Sequence, residues 1–185
     1  QCYEAGILVT SLPGPAACIT ALTLSGLPTR RFCFEAFLPT DKKERQWILE
    51  ELKQETRTMI VYEAPHHLVR TLEELGAALG MERRLTLCRE LTKRYEEAYQ
   101  ATFAEALQSY EHEEPKGECV IVIEGKSIGQ LKAEQQKSWE EMSLEDHMEV
   151  YLTQGMDRKE AMKKVAKDRG ISKRDVYQGL MERDE

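Results

Sequence analysis

Residues 12–22, Leu-Pro-Gly-Pro-Ala-Ala-Cys-Ile-Thr-Ala-Leu, constrain this chain more than any other stretch. Pro13 and Pro15 fix φ on either side of Gly14, a residue type that reaches angles others reach only at a cost. Pro15 falls near a first helical position, where its missing N–H is no loss. The apolar run Ile7-Leu8-Val9 leads in, and the run from Ala16 to Leu24 leads out. The pattern predicts a strand over 6–11, a stiff turn, and a helix over 15–26. Such a turn brings bare backbone and small side chains to the carboxyl end of a strand, the edge at which α/β sheets commonly bind ligands. Taken alone, Pro-Gly-Pro also suits a purely structural turn.

The alternation continues downstream. Strands are predicted over 31–37, 58–62, 84–90 and 118–123. Helices are predicted over 41–54, over 65–79, and from Phe103 after a Thr102 cap. Trp47, Ile48, Leu49 and Leu52 read as the apolar side of one helix, and Leu68, Leu72, Leu75 and Leu79 as that of the next. Residues 91–100 read as a charged segment. Together these predict an α/β domain over 1–126. Residues 127–142, rich in Gln, Lys and Glu, read as a linker. Residues 143–185 read as a small all-α module with three helical patterns: 143–154, one capped by Asp157 and ended by Gly170, and one capped by Ser172. The joint Asp168-Arg169-Gly170-Ile171-Ser172 has the length and composition of a helix-turn-helix corner.

Size and composition narrow the class. At 185 residues, with 41% hydrophobic and 32% charged, the chain can bury a core plus a small appendage and is not a disordered polymer. No apolar run approaches the roughly 18 residues that span a bilayer, so no membrane is expected. Cys2, Cys18, Cys33, Cys88 and Cys119 form an odd, unpatterned set, which reads as reduced thiols of a cytoplasmic protein. His66, His67, His112 and His147 lack metal-ligand spacing, and no metal is expected. The chain opens at Gln1 almost directly in a predicted strand and is read as a piece that continues upstream.

The net charge of −7 argues against a wholly polyanion-binding surface. Its distribution matters more. Arg158, Lys159, Lys163, Lys164, Lys167, Lys173 and Arg174, with Arg169, cluster over 157–174 against Asp157, Glu160 and Asp168. A basic excess on a helix-turn-helix outline predicts an RNA-binding module, because phosphate neutralisation drives such binding. A solvated bundle whose lysines simply face water is the alternative.

Polar groups gather at strand ends. They are Tyr62-Glu63-Ala64-Pro65-His66-His67, then Cys88-Arg89-Glu90-Leu91-Thr92-Lys93 with Glu96 and Glu97, then Glu118, and Ile123-Glu124-Gly125. With the Pro-Gly-Pro turn they predict a substrate crevice. Each also has a plain reading. Glu63 suits a helix start, Arg89 and Glu90 a surface pair, and His66 a helix terminus.

In order, Leu12-Pro13-Gly14-Pro15, Ser25-Gly26-Leu27-Pro28, Arg31-Phe32-Cys33-Phe34-Glu35, Phe37-Leu38-Pro39, Tyr62-Glu63-Ala64-Pro65-His66, Arg89-Glu90-Leu91-Thr92-Lys93 and Ile123-Glu124-Gly125 resemble one family. It is the small-subunit rRNA methyltransferase I family of the tetrapyrrole methylase superfamily, and the likeness is to its C-terminal lobe, from about Tyr3 to Gly125. The tail from Ser143 is similar to the helix-turn-helix module that ends many of those proteins. The resemblance implies a two-lobed α/β fold. It implies methyl transfer from S-adenosylmethionine to the 2′-hydroxyl of a cytidine in 16S rRNA of the 30S subunit. A homodimer is implied as well, with Phe32-Cys33-Phe34 and Phe37-Leu38 serving either its interface or the core.

By the same resemblance, Pro13, Gly14, Pro15, Ala16, Ala17, Cys18, Tyr62, Cys88 and Arg89 lie beside the cofactor. Glu63, Glu90 and Glu97 are the carboxylates from which a base would come, and Lys93 would lower the hydroxyl's pKa or hold a phosphate. The family's glycine-rich loop and aspartate-bearing segment, which belong to its N-terminal lobe, are not in these residues. Ala64 stands where serine is common and His67 where arginine is common. Two other readings stay open. One is a non-catalytic RNA-binding or assembly module. The other is a small-molecule methylase of tetrapyrrole type, against which the basic tail counts.

Overall fold

The computed structural model describes residues 1–112 and 114–181. The chain divides into two compact units, Gln1–Gly125 and Lys126–Glu185. The first contains α1 (Ala17–Leu24), β1 (Phe32–Phe37), α2 (Lys42–Leu52), β2 (Thr58–Glu63), α3 (Pro65–Leu79), β3 (Arg84–Arg89), β4 (Glu97–Thr102), α4 (Phe103–Ser109) and β5 (Cys119–Ile123). Its five-stranded sheet has the order β1-β2-β5-β3-β4. β1 runs parallel to β2, and the other neighbours are antiparallel. The carboxyl ends of β1, β2 and β3 therefore share one edge with the amino ends of β4 and β5.

Strand alternation splits the core into two layers. On one face Met59, Val61, Leu85, Leu87, Cys119, Ile121 and Ile123 meet Leu49 and Leu52 of α2, the leucines of α3, and Phe103 of α4. On the other, Ile60, Cys88, Val120 and Val122 meet Ala21 and Leu22 of α1. β2 and β5 are buried on both faces, which is why they read as continuous apolar runs. The predicted helix starts have local causes. Asp41 accepts from the amides of Lys43 and Glu44 at 3.0 and 2.9 Å, Pro65 opens α3, and Thr102 with Glu105 forms a capping box at α4.

Four expectations need correction here. Residues 6–11 form no strand: the Ile7 amide closes a turn on the Cys2 carbonyl at 2.9 Å, and Leu8 and Leu12 are 95% and 86% exposed. An apolar run becomes a strand only where a neighbour completes its hydrogen bonds, and the sheet ends at β1 and β4. α1 starts at Ala17 with Ala16 as its cap, so Pro15 precedes the helix. The charged segment 91–100 runs into β4, an edge strand paired to β3; edges tolerate polar and charged side chains that central strands do not. Trp47, placed on the apolar side of α2, is 63% exposed.

The second unit contains α5 (Ile128–Glu141), α6 (Leu144–Thr153), α7 (Arg158–Arg169) and α8 (Lys173–Met181). Residues 127–142, expected as a linker, are thus helical. Ser127 and Gln130 form a capping box, and Trp139 stacks on His147 with ring centroids 4.0 Å apart. Met148, Tyr151, Ala161, Val165, Ala166 and Val176 form the core of α6, α7 and α8. Gly170, with φ 68°, ends α7, and the Ile171 amide reaches the Ala166 carbonyl at 3.0 Å, a Schellman-type corner. Ser172 and Asp175 then cap α8 reciprocally at 3.1 and 3.0 Å.

One basic residue of the cluster is structural. Arg169 Nε donates to His147 Nδ1 at 3.1 Å, and its Nη2 donates to the carbonyls of Met142 and Ser143 at 2.5 and 2.8 Å. His147 is fully buried. Burial first, then the Arg169 charge, hold its pKa below the ordinary value.

Candidate active site

The register assembles the predicted strand-end groups. Glu63 and Arg89 both stand opposite Cys119, and Glu97 stands opposite Arg89. Tyr62-Glu63, Glu118, Arg89-Glu90 and Glu97 therefore reach one sheet edge. The Pro-Gly-Pro turn is tied to that edge by a hydrogen bond from the Cys18 amide to Tyr62 Oη at 2.8 Å. α1 has no side-chain cap, so Tyr62 serves an amide that a helix start would otherwise leave free. Residues 13–17 are exposed. Gly14 does not use the left-handed region, and a Cβ placed on it meets nothing within 4 Å. Nothing among the described residues calls for glycine there; its bare backbone is open to a group approaching from outside.

The second feature is the turn from β3 to β4. Glu90 and Thr92 hold φ at 50° and 63°, left-handed values that cost an L-residue roughly 1–2 kcal/mol each. Strain of this kind concentrates where function needs it. Surrounding bonds hold the turn in place. The Glu90 amide donates to the Glu118 carbonyl at 3.1 Å. Glu90 Oε1 accepts from the Glu118 amide at 3.0 Å and from Lys93 Nζ at 3.1 Å, and Lys93 Nζ also reaches Glu118 Oε2 at 3.1 Å. Gly117 has φ +79°, and a Cβ there would lie 2.4 Å from Glu90 Cγ, so only glycine fits. The Glu118 amide, then Lys93, hold the Glu90 carboxyl below its usual range. Glu118, then Glu90, raise the Lys93 ammonium. Both groups are charged at neutral pH, and Lys93 is a lasting cation.

Other predicted residues face elsewhere. Glu63 shares its side of β2 with Met59 and Val61 and is only 7% exposed. Its oxygens accept from the Ala64 amide at 2.8 Å and the Thr71 hydroxyl at 2.6 Å. Arg45 donates to Thr71 at 2.7 Å and to Glu74 at 2.5 Å, which fastens α2 to α3 behind it. Arg89 pairs with Glu97, not with Glu90. With Tyr99, Ser109 and Tyr110 they line a pocket of about 270 Å³. Cys88 is fully buried under the α1 face, and burial pushes its thiol up to about 11. Glu124 lies at the opposite sheet edge, bonded to Arg84 at 3.0 Å. The structure thus brings Pro13–Cys18 together with Tyr62, and Glu90 with Lys93; Glu63, Arg89 and Glu97 lie on the other face. Gly117 and Thr71 carry no motif. The one sequence signal for Thr71 is a hydroxyl set among Leu68, Leu72 and Leu75.

The family model described as Tetrapyrrole (Corrin/Porphyrin) Methylases matches residues 2–107. The chain belongs to the tetrapyrrole methylase family. Ribosomal RNA small subunit methyltransferase I of Halalkalibacterium halodurans is 44% identical over 172 residues, covering 93% of this chain and 58% of that protein. The protein of the same description from Synechocystis sp. is 41% identical over 181 residues, covering 98% and 63%. That from Escherichia coli O157:H7 is 47% identical over 126 residues, covering 67% and 44%. The chain spans less than two thirds of the length of these relatives. Among solved structures, the methyltransferase CobJ superposes with a TM-score of 0.48 at 20% identity, over 69% of this chain and 56% of that one. The tetrapyrrole methylase match contains the Pro-Gly-Pro turn, Tyr62 and the Arg89–Lys93 turn, and stops before β5 and the helical unit.

In that helical unit Arg158, Lys159, Lys163, Lys164, Lys167, Lys173 and Arg174 are exposed, while Arg169 is half-buried. By helical spacing, Lys159, Lys163, Lys164 and Lys167 share one stripe of α7. Lys163, Lys164 and Lys167 line a hollow of about 420 Å³ with Met156 and Glu160, and Lys164 Nζ lies 5.8 Å over the Tyr151 ring. Arg158 is on the other side, beside Glu145, Glu149 and Leu152. Lys173 and Arg174 stand at the start of α8.

Proposed function

We propose that this chain supplies one wall of a cytoplasmic methyltransferase site that acts, with S-adenosylmethionine, on the 2′-hydroxyl of a cytidine in 16S rRNA. In this reading the α/β unit is the C-terminal lobe and the helical unit is its RNA-binding module. The observation that carries the reading is the Cys18–Tyr62 bond, which fixes the Pro-Gly-Pro turn at the edge where the strained Glu90–Lys93 turn also stands. The names of the relatives support methyl transfer to small-subunit rRNA; the 2′-hydroxyl of a cytidine is what the resemblance of the motifs implies.

The residues fit the methyl donor. Exposed backbone over 13–17, with open space at Gly14, lets peptide N–H and C=O groups approach a nucleoside that bulky side chains would hold off. S-adenosylmethionine supplies a methyl group already activated on a sulfonium, so the protein's main task is alignment. Lys93, kept protonated by Glu118 and Glu90, is suited to an RNA phosphate and not to proton abstraction. Glu63, with both oxygens bonded inside the fold, acts as a brace for α3. The lysine stripe of α7 supplies the sequence-independent attraction for the RNA backbone.

The test is methyl transfer from labelled S-adenosylmethionine to unmodified small subunits, by the protein carrying these residues. A 2′-O-methyl group blocks alkaline cleavage at its own phosphodiester, so label is expected in an alkali-resistant dinucleotide. Label released with mononucleotides, or no incorporation, contradicts the proposal.

A further inference from the structure

An aromatic cluster stands beside the proposed site and is not explained by it. In a regular strand, residues three apart point to opposite faces. Phe34 and Phe37 do not. The register of β1 shifts between Phe34 and Ala36, so that Phe34 lies opposite Ile60 and Phe37 opposite Tyr62. Both phenylalanines thereby join the α1 face. Their rings meet Tyr62 edge-on, with centroids 5.0 and 5.7 Å away. The bulge holds Ala36 at φ 53°, a strained value for alanine. Tyr62 cannot swing away, because its hydroxyl accepts from the Cys18 amide. Within the described residues Phe34 and Phe37 are 47% and 62% exposed, so each ring keeps a face open to a partner.

Resting on the reading of this chain as part of an RNA methyltransferase, we propose that Phe34 and Phe37, braced by Tyr62, form a stacking platform for an unpaired base of the substrate RNA. Three observations favour RNA over a second copy of the chain. The bulge breaks the ladder of β1, which blunts edge-to-edge pairing. Arg30 and Arg31 are exposed just before the strand, and Arg31 stands about 10 Å from Phe34 along an extended chain, within reach of a flanking phosphate. Tyr62 joins the cluster directly to the turn proposed to face the methyl donor. Stacking on such rings tolerates any base, so the platform places the nucleotide and does not read its sequence.

The test uses the whole chain and a short single-stranded RNA that carries an end label and one internal 2-aminopurine. Anisotropy of the end label reports binding, and quenching of 2-aminopurine emission reports stacking. The wild-type chain is expected to bind and to quench. Phe34→Ala and Phe37→Ala each weaken binding about 10-fold and reduce the quench at saturation, while Phe37→Trp restores both. Circular dichroism of the variants checks that the fold is kept. Full quenching and unchanged affinity in the doubly substituted chain overturn the platform and leave the function intact. So does a result in which the substitutions change only the sedimentation mass, which assigns the surface to a second copy. Absence of binding by the wild-type chain overturns both proposals.

Discussion

Glu63 and Glu90 are carboxylates at neighbouring strand ends, and their surroundings give them different work. Glu63 is enclosed, with the Ala64 amide and Thr71 hydroxyl as partners. Glu63→Ala strands both donors in a buried setting and is expected to cost about 2 kcal/mol, read as a lower denaturant midpoint. A general base would show the opposite pattern, lost transfer with stability unchanged. Glu90 is held below the usual carboxylate range by the Glu118 amide and Lys93. Its stabilisation is therefore complete above the ordinary value near pH 4.3 and is lost as pH falls through the lowered value in the fold. Unfolding of Glu90→Gln, followed against pH, is expected to lack that acid-side loss. The sequence showed both residues as strand-end carboxylates. It did not show their roles, because Glu63 shares strand parity with Met59 and Val61, and only the packed fold reveals that α3 covers that side.

At the scale of elements, short-range signals were legible and partner-dependent ones were not. Asp41, Thr102, Asp157 and Gly170 mark helix ends in the sequence and do so in the fold. The run Ile7-Leu8-Val9 has strand composition and no strand beside it, while Glu97–Thr102, which follows the charged residues Lys93, Arg94 and Glu96, gains its structure from β3. α5 was hidden because none of its residues is buried: Gln136 Nε2 donates to the Arg169 carbonyl at 3.2 Å, and Trp139 makes a stacked pair with His147. That pair gives a pH prediction. His147 is buried between Arg169 and Asp168, with Asp168 Oδ2 3.8 Å from Nε2, and its pKa is lowered by burial first. The unfolded chain binds this proton more readily, so stability is complete above about pH 6.5 and declines as pH falls below it. In Trp47→Phe chains, Trp139 emission should report a denaturant midpoint that drops between pH 7 and 5, and His147→Gln should flatten that drop.

Across the whole molecule, charge is divided although the total is acidic. The net charge of −7 does not decide the matter of RNA; the proposed contact rests on the exposed stripe of Lys159, Lys163, Lys164 and Lys167. Helical spacing in the sequence already places Arg158 off that stripe, and the structure sets it among Glu145, Glu149 and Leu152. Each stripe lysine changed to Gln is expected to reduce the salt slope of single-stranded RNA binding by about 0.7. Arg158→Gln is expected to leave the slope nearly unchanged in the same titrations.

The Pro-Gly-Pro turn reaches the edge through the Cys18–Tyr62 bond, without the strand predicted before it. The gathering of Tyr62-Glu63 and the Arg89–Lys93 turn at one edge, by contrast, was legible as a set of strand-end motifs. Which side chains share a face was not, since that depends on the antiparallel placement of β5 between β2 and β3. The most direct measurement is amide hydrogen exchange of the protein carrying these residues, with and without saturating S-adenosylmethionine. Protection is expected over 14–18 and 88–93, with none over 158–174. Protection confined to the helical unit, or unchanged exchange in both sheet-edge segments at saturation, would contradict the placement of the methyl donor at this edge.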